Sequence, residues 1–364
     1  MARECFFNGP RMKSRLSVLY LFPHSMREVV AEVESGMAPT ERMYGVVELR
    51  RLGFNVDICD SRFEGLFGRI CIFFRRYGIF LLDWNTLLEI FRHDILIVKD
   101  DFSVLATFAA KLFRKKIIYL DAMFNVPRRR WRRWLTKICI LASDAIVAYS
   151  RKQIKVWSRE FNVPDSRFTF FPYALDVTFY KKVSPMPEQE PYVMAIGRDM
   201  GRDFATLVEA MKGTNIKLKL VTLPYLLPPG AVTDKAIEVL ERVTYQKLFE
   251  LYAGALLVVV PLKDAIFYPS GIRAVLESAL LEKVTVATQT SILEEYLQAD
   301  KEVIYVKPRD AELLRAAIIS LAGNEKKRHE LERGAKHRVL AEYGMDAFAG
   351  RLVNTIEMAL GRRQ

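Results

Sequence analysis

The sequence is short of the groups on which disulfide and metal chemistry depend. Four cysteines, Cys5, Cys59, Cys71 and Cys139, are scattered over 364 residues with no C-x-x-C spacing. A disulfide framework and a structural zinc site are therefore not expected, and a reducing compartment fits. Histidine is equally sparse, at four. No uninterrupted apolar run reaches the length of a membrane span; the nearest, Ile70–Trp84, is broken by Arg75, Arg76 and Asp83. The N-terminus has an early basic cluster and then Leu16–Phe22, too short and too strand-like for a signal peptide. These features predict a cytoplasmic protein. Acidic charge is in deficit: 43 Asp and Glu against 55 Lys and Arg give a formal net charge of +12. That excess implies an anionic partner: nucleic acid, a phosphorylated substrate or an anionic membrane surface.

What is present is an ordinary globular balance, 51% apolar and 27% charged, in a chain long enough for two domains. Short β-branched runs alternate with helical stretches, the pattern of parallel α/β sheets. In the first half, strands are expected at Leu16–Phe22, Asn55–Cys59, Asp94–Val98, Lys116–Leu120, Ala145–Tyr149 and Arg167–Pro172. A helix is expected over Thr40–Leu52, closed by Gly53. The second half repeats the theme at Tyr192–Ile196, Lys217–Thr222, Ala236–Leu240, Leu256–Pro261, Val284–Ala287 and Val303–Val306. The run Leu256–Val260 is continuously apolar, as a strand buried on both faces must be. A proline-rich linker is expected around Asp176–Glu190, and everything after Ala311 reads as helix. The implied division is a first Rossmann-like domain over 1–176, a second over 177–345 and a terminal helix over 346–364, with ligands in the cleft between the domains.

Two segments carry chemistry. In YVMAIGRDMGRDFATLVEAM (192–211) a strand ends at Gly197, and a turn holding Arg198, Gly201 and Arg202 leads into a helix. Glycine lets backbone approach a phosphate, and two guanidinium groups at a helix N-terminus suit a diphosphate. The competing reading is an ordinary βα turn with solvated arginines. In PLKDAIFYPSGIRAVLESALLEKVTVAT (261–288) a strand end and Ser270–Gly271 precede a helix carrying Glu277. Two turns in, that carboxylate could accept hydrogen bonds from ribose hydroxyls; the bland alternative is a solvated helix glutamate.

Together these segments resemble the donor half of glycosyltransferase family 4 and its GT-B relatives. Their pattern is a strand ending in GR, a basic residue at the next helix start, and later a block close to G-x-x-x-L-E-A-M-A-x-G-x-P-V-V-A. The segments 143–176 and 336–360 are similar to that family's interdomain connection and terminal helices. The resemblance implies an α/β GT-B fold whose last helix crosses back to the first domain. It implies a glycosyltransferase using a nucleotide-diphosphate sugar, a UDP-sugar by expectation, as co-substrate. Arg198 and Arg202 would hold the diphosphate, Ser270 and Gly271 would give backbone contacts, Glu277 would bind ribose, and the loop around Arg242 and Val243 would meet the base. Two positions depart from the family: Pro269 stands where an acidic residue commonly contacts the donor sugar, and PHSMREVV (23–30) replaces a glycine pair.

The acceptor side has two candidate bases. Asp121 follows the strand KIIYL (116–120), and His24 follows the first strand; each also reads as a turn, cap or surface residue. The family is mainly retaining, and such enzymes need no protein base. Asp100–Asp101 lacks D-x-D spacing and reads as a turn, so no metal is expected and the arginines would neutralise the leaving diphosphate.

The basic excess concentrates in PRRRWRRWLTKICILA (127–142). On a helix, Trp131, Trp134, Leu135, Ile138 and Leu141 form one stripe flanked by Arg128, Arg129, Arg130, Arg132, Arg133 and Lys137. That pattern fits the surface of an anionic bilayer; the alternative is a stripe packed into the domain core. With Ile70–Trp84 nearby, it predicts peripheral attachment to the inner face of the cell membrane and a lipid-linked or cell-envelope glycan acceptor. Three rivals remain: a nucleic-acid-binding protein, which lacks any recognised signature; an epimerase acting on the nucleotide sugar on the same fold; and a non-catalytic homologue.

Overall fold

The computed structural model describes residues 16–60, 84–100, 102–121, 127, 129–181, 191–264 and 268–361. The first sheet comprises β1 (Ser17–Phe22), β2 (Asn55–Asp60), β3 (Ile95–Lys99), β4 (Lys116–Leu120), β5 (Ala145–Ala148) and β6 (Phe168–Phe170). Its order is β2-β1-β3-β4-β5-β6, and every pairing is parallel. The second comprises β7 (Tyr192–Ile196), β8 (Lys217–Val221), β9 (Ile237–Leu240), β10 (Leu257–Val260), β11 (Thr285–Thr288) and β12 (Ile304–Val306). Its order is β12-β11-β10-β7-β8-β9, again all parallel. β3 and β10 are buried at every residue, as covering helices on both faces require.

The connections are helical: α1 (Arg27–Glu34), α2 (Val46–Arg51), α3 (Trp84–Arg92), α4 (Val104–Leu112), α5 (Arg130–Ala142) and α6 (Arg151–Phe161) in the first half. Then follow α7 (Val177–Tyr180), α8 (Phe204–Met211), α9 (Tyr245–Gly254), α10 (Ile272–Leu280), α11 (Ala311–Ala322), α12 (Glu325–Glu342) and α13 (Met345–Ala359). In each sheet the chain reverses its direction of growth once, between β1 and β3 and between β7 and β10. Crevices at the carboxyl ends of such strand pairs are where α/β folds bind ligands.

Two expectations need correction. Thr40–Leu52 is not one helix: a 3-10 turn (Thr40–Met43) is followed by Tyr44 and Gly45 in left-handed backbone, φ 52° and 92°, before α2 starts. Gly45 lies under α13, where an added Cβ would come 3.1 Å from Leu352 and 3.2 Å from Phe348. The expected linker is not solvated at its start. Asp176 caps α7, accepting from the Thr178 and Phe179 amides, and Phe179 and Tyr180 are buried. Residues 182–190 lie outside the described residues.

The terminal helix α13 does return to the first domain, with Phe348 edge-on to Phe171 at 5.6 Å. A second tie comes from the loop after β11. Glu295 accepts hydrogen bonds from the Arg151 amide at 2.7 Å, the Lys152 amide at 2.9 Å and the Ser150 hydroxyl at 2.9 Å. A carboxylate of one domain thus receives the Arg151 amide at the start of the other domain's α6 and shares the Lys152 amide with the Ser150 cap at 3.1 Å.

Because Gly45 combines left-handed backbone with no room for a methyl, Gly45→Ala should destabilise the fold by about 1–3 kcal/mol. Urea unfolding measures it; an unchanged midpoint would remove α13 as the reason for this break.

Candidate active site in the interdomain cleft

The wall formed by the second sheet is built at the carboxyl ends of the paired strands β7 and β10, where the sheet's direction of growth reverses. Gly197 follows β7 with the Arg202 side chain packed directly against it, so that an added Cβ would displace that guanidinium. The Arg202 side chain therefore lies flat over the Gly197 backbone and is buried. Its Nε donates to Asp199 at 3.0 Å, while Nη1 is buried with no hydrogen-bond partner. A desolvated guanidinium N–H without an acceptor is costly, and an anion satisfies it. Asp199 also accepts from the Gly201 amide at 3.0 Å, the Ser270 hydroxyl at 2.7 Å and the Tyr268 hydroxyl at 3.4 Å. Burial pushes the Asp199 carboxyl upward, but Arg202, the Ser270 hydroxyl and the Gly201 amide together hold it below its usual range. Gly271 starts α10 at φ 84°, where a Cβ would meet Val260 at 3.0 Å. Gly197, Arg202, Ser270 and Gly271 thus converge at one point. Arg198 does not join them: it is exposed and donates to the Glu241 carbonyl, beside the exposed Arg242.

Glu277 is buried on α10, and its carboxylate is engaged by protein. Oε1 accepts from Arg273 Nε at 2.7 Å and from the Tyr180 hydroxyl at 2.7 Å; Oε2 accepts from Tyr252 at 3.2 Å. The Tyr180 hydroxyl also lies 3.0 Å from Oε1 of Glu41, in the Thr40–Met43 turn of the first domain. One phenol hydrogen cannot serve two carboxylates, so the second contact needs a carboxylic proton. Glu41 is the holder: burial pushes it from 4.5 to about 7, with Arg273 and the Asp176 amide opposing and Glu277 adding to the rise.

The wall formed by the first sheet centres on a lysine. Lys99, the last residue of β3, is fully buried, with Nζ 3.0 Å from Asp121, in contact with Asp100, and 4.1 Å from the centre of the Tyr44 ring. Burial alone would strip this ammonium of its proton; Asp121, Tyr44 and Asp100 hold it charged. Asp100 and Asp121, just past the ends of β3 and β4, both adopt left-handed backbone, φ 71° and 57°. Strain of this kind at adjacent strand ends is a common mark of binding sites. Asp121 caps no helix among the described residues; its Oδ1 is buried with no hydrogen-bond partner, and burial raises the carboxyl to about 6 against the pull of Lys99. His24 is half exposed, with Nδ1 3.9 Å from Asp100. The structure thus joins both expected acceptor-side residues through Lys99 and Asp100. Lys99 and Asp199 had signals in sequence: a lysine closing an apolar strand is rarely buried unless paired, and Asp199 lies inside GRDMGRD.

Of the expected basic stripe, Arg128 lies outside the described residues. Arg129, Arg130, Trp131 and Trp134 are exposed; Leu135 and Ile138 are half-buried; Arg133 donates to the Glu160 carboxylate and carbonyl, both at 2.9 Å. α5 buries Thr136, Cys139 and Ile140 instead, so the tryptophans face outward rather than into the core. Among the described residues no helix is long and apolar enough to cross a membrane, and no group of three or more His, Cys, Asp or Glu could hold a metal ion.

No family model matches the chain, and no curated protein matches it. Solved structures do. A Rickettsia africae glycosyltransferase superposes with a TM-score of 0.71 at 13% identity, covering 96% of this chain and 100% of its own. A Thermosynechococcus elongatus sucrose-phosphate synthase gives 0.69 at 15%, covering 96% and 100%. The Anabaena protein HepE, in complex with UDP and glucose, gives 0.65 at 12%, covering 94% and 100%. The chain has the GT-B fold that these proteins share.

The Glu41 proton has a pH consequence. A carboxyl raised on folding contributes stability that is complete below its unfolded value of 4.5 and is lost as pH rises through about 7. Stability should fall across that window by on the order of 3 kcal/mol. Asp121 adds a similar fall between 3.8 and about 6. Urea unfolding of Glu41→Gln at stepped pH should show a flatter slope in the upper window; an unaltered slope would place the proton elsewhere.

Proposed function

We propose that this chain is a glycosyltransferase that moves a sugar from a nucleotide-diphosphate sugar, a UDP-sugar, to an acceptor hydroxyl held in the cleft. The observation that carries the reading is the buried Arg202 guanidinium, oriented by Asp199 and left with an unpaired N–H at the carboxyl ends of the neighbouring strands β7 and β10. Arg202 takes the diphosphate, with Arg198 swinging in from the Glu241 carbonyl and the Gly197 and Ser270–Gly271 backbone alongside. Cationic donors fixed in a dry site stabilise the charge of a leaving diphosphate without a metal. The loop bearing Arg242 receives the base. Glu277 reaches ribose by exchanging one of its present donors, Tyr180, Tyr252 or Arg273. The UDP held by the Anabaena neighbour supports this choice of nucleotide.

On the acceptor side, Asp121 is the group best placed to face a hydroxyl. With its carboxyl raised to about 6 it is ionised at neutral pH yet basic enough to share the hydroxyl proton; His24, beside Asp100, is the alternate. The family resemblance favours retention, in which Asp121 positions the acceptor rather than deprotonating it. We assign the acceptor to lipid-linked or cell-envelope glycan precursors and the protein to the inner face of the cell membrane. The outward tryptophans of α5, next to Arg129, Arg130 and Arg132, support that location. Equal sedimentation with anionic and neutral vesicles would remove it.

Calorimetry with UDP and a panel of nucleotide sugars tests the donor site. Binding should weaken about a hundredfold in Arg202→Ala, as for loss of a buried charge-assisted contact to phosphate, and should weaken in Glu277→Ala as well. A folded wild type that binds no nucleotide diphosphate ends the reading. Asp121→Asn should then lower kcat and leave the UDP affinity unchanged.

A further inference from the structure

Among the described residues α3, α4, α5 and α6 cover one face of the first sheet, with α3 against α4 and α4 against α5, opposite the face that receives α1, α2 and α13; the first three of them share one feature. Each turns small or medium side chains inward: Thr86 and Ile90 from α3, Ala106 and Ala110 from α4, Thr136 and Ile140 from α5. Each also carries large apolar residues on its outer side. On α3 these are Trp84, Leu88 and Phe91, spaced i, i+4, i+7; on α4, Leu105, Phe108 and Leu112, spaced i, i+3, i+7. On α5 they are Trp131, Trp134 and Leu141. Trp84, Phe108 and Leu112 are 73%, 66% and 63% exposed. Apolar stripes repeated on three adjoining helices concentrate exposed apolar side chains on one side of the domain, which soluble monomers rarely carry without a partner.

We propose that this three-helix layer is a docking face for an anionic lipid bilayer, with α3 and α4 inserting apolar side chains as α5 does. The inference rests on the membrane location proposed for α5 and extends it to two further helices. Charge selects the occupant. α4 and α5 contain no acidic residue, and the single one in α3, Glu89, is paired with Arg92 at 2.8 Å. Around the stripes, Arg114, Lys115, Arg129, Arg130 and Arg132 have no ion-pair partner among the described residues. A second copy of the same cationic face would be repelled. A nucleic acid would use the charge but leave the Trp, Phe and Leu stripes in water. An anionic bilayer uses both.

The topology gives the docking a direction. α4 and α5 begin at the sheet edge where β3 and β4 lead into Asp100 and Asp121. Leu105 and Trp131, in the first turns of these helices, therefore lie at the cleft end of the face. A bilayer seated here runs up to the rim of the acceptor wall, and an acceptor anchored by a hydrocarbon tail meets Asp121 without leaving the membrane surface.

The test is cosedimentation with vesicles of phosphatidylcholine alone or mixed with phosphatidylglycerol. It compares wild type, Phe108→Ser/Leu112→Ser on α4, Trp84→Ser/Phe91→Ser on α3, and Trp131→Ser/Trp134→Ser on α5. These side chains are exposed, so the variants should keep their circular dichroism and UDP affinity. The expected result is preferential binding of wild type to the mixed vesicles. Each variant should lose about tenfold or more, as for one or two apolar side chains left in water. Wild-type binding lost only in the α5 variant would overturn the three-helix face and leave the α5 attachment standing. No wild-type binding to either vesicle would overturn both, with UDP binding judged separately. A dimer in sedimentation velocity that the α4 variant dissociates would also overturn the proposal, because the face would then serve self-association.

Discussion

Arg273 stands between two carboxylates from different parts of the chain. Glu277, one turn further along α10, takes its Nε at 2.7 Å; Glu41, from the first domain, lies 3.4 Å from its Nη2. Tyr180 lies within hydrogen-bonding reach of both acids and 3.4 Å from the same Nη2, which also donates to the Tyr245 hydroxyl at 2.7 Å. Two buried acids around one base cannot both be ionised cheaply, and removing any one member leaves an uncompensated charge in a low dielectric. This group ties the Thr40–Met43 turn of the first domain, the start of the chain segment joining the halves and α10 to one another. Any ligand that recruits Glu277, as the proposed function has it, must redistribute these hydrogen bonds, which would couple its binding to the hold on Glu41 through shared donors.

The same economy of charge governs the wall formed by the first sheet. Lys99, Asp100 and Asp121 place two carboxylates against one ammonium at the ends of neighbouring strands, on backbone that only tertiary packing can hold left-handed. Stability is given up there, as sites that must present unsatisfied polar atoms require. The apolar sheets on either side supply it: β1, β3, β4, β7 and β10 bury nearly every residue they contain.

How much of this could be read from the chain alone depends on the range of the forces involved. Strands sandwiched between helices must be apolar on both faces, so KIIYL and LVVV declare themselves, and their observed limits fall within a residue of the expected ones. Glycine positions that carry backbone through tight places, Gly197 and Gly271, were visible because their motif travels as a unit. The break inside Thr40–Leu52 was not, because Gly45 is held left-handed by Phe348 and Leu352, which arrive from the far end of the chain. Glu277 was visible by spacing, but its partners Tyr180 and Tyr252 belong to other segments. Asp121 was visible as a strand-end acid, whereas its burial against Lys99 needed β3 and β4 side by side. The α5 stripe was visible within one helix; its continuation across α3 and α4 exists only once the three are aligned.

The capping of α6 by Glu295 makes the hinge between the domains observable from within. The amide of Arg151 sits at the start of a helix, where no carbonyl of that helix can receive it, and its acceptor belongs to the opposite domain; the Lys152 amide, by contrast, also reaches the Ser150 hydroxyl of its own helix cap at 3.1 Å. Exchange of the Arg151 hydrogen with solvent deuterium is therefore governed by separation of the two domains rather than by fraying of α6. This single hydrogen is an intrinsic clock for cleft opening: it slows with any ligand that bridges the walls and runs free when the domains part.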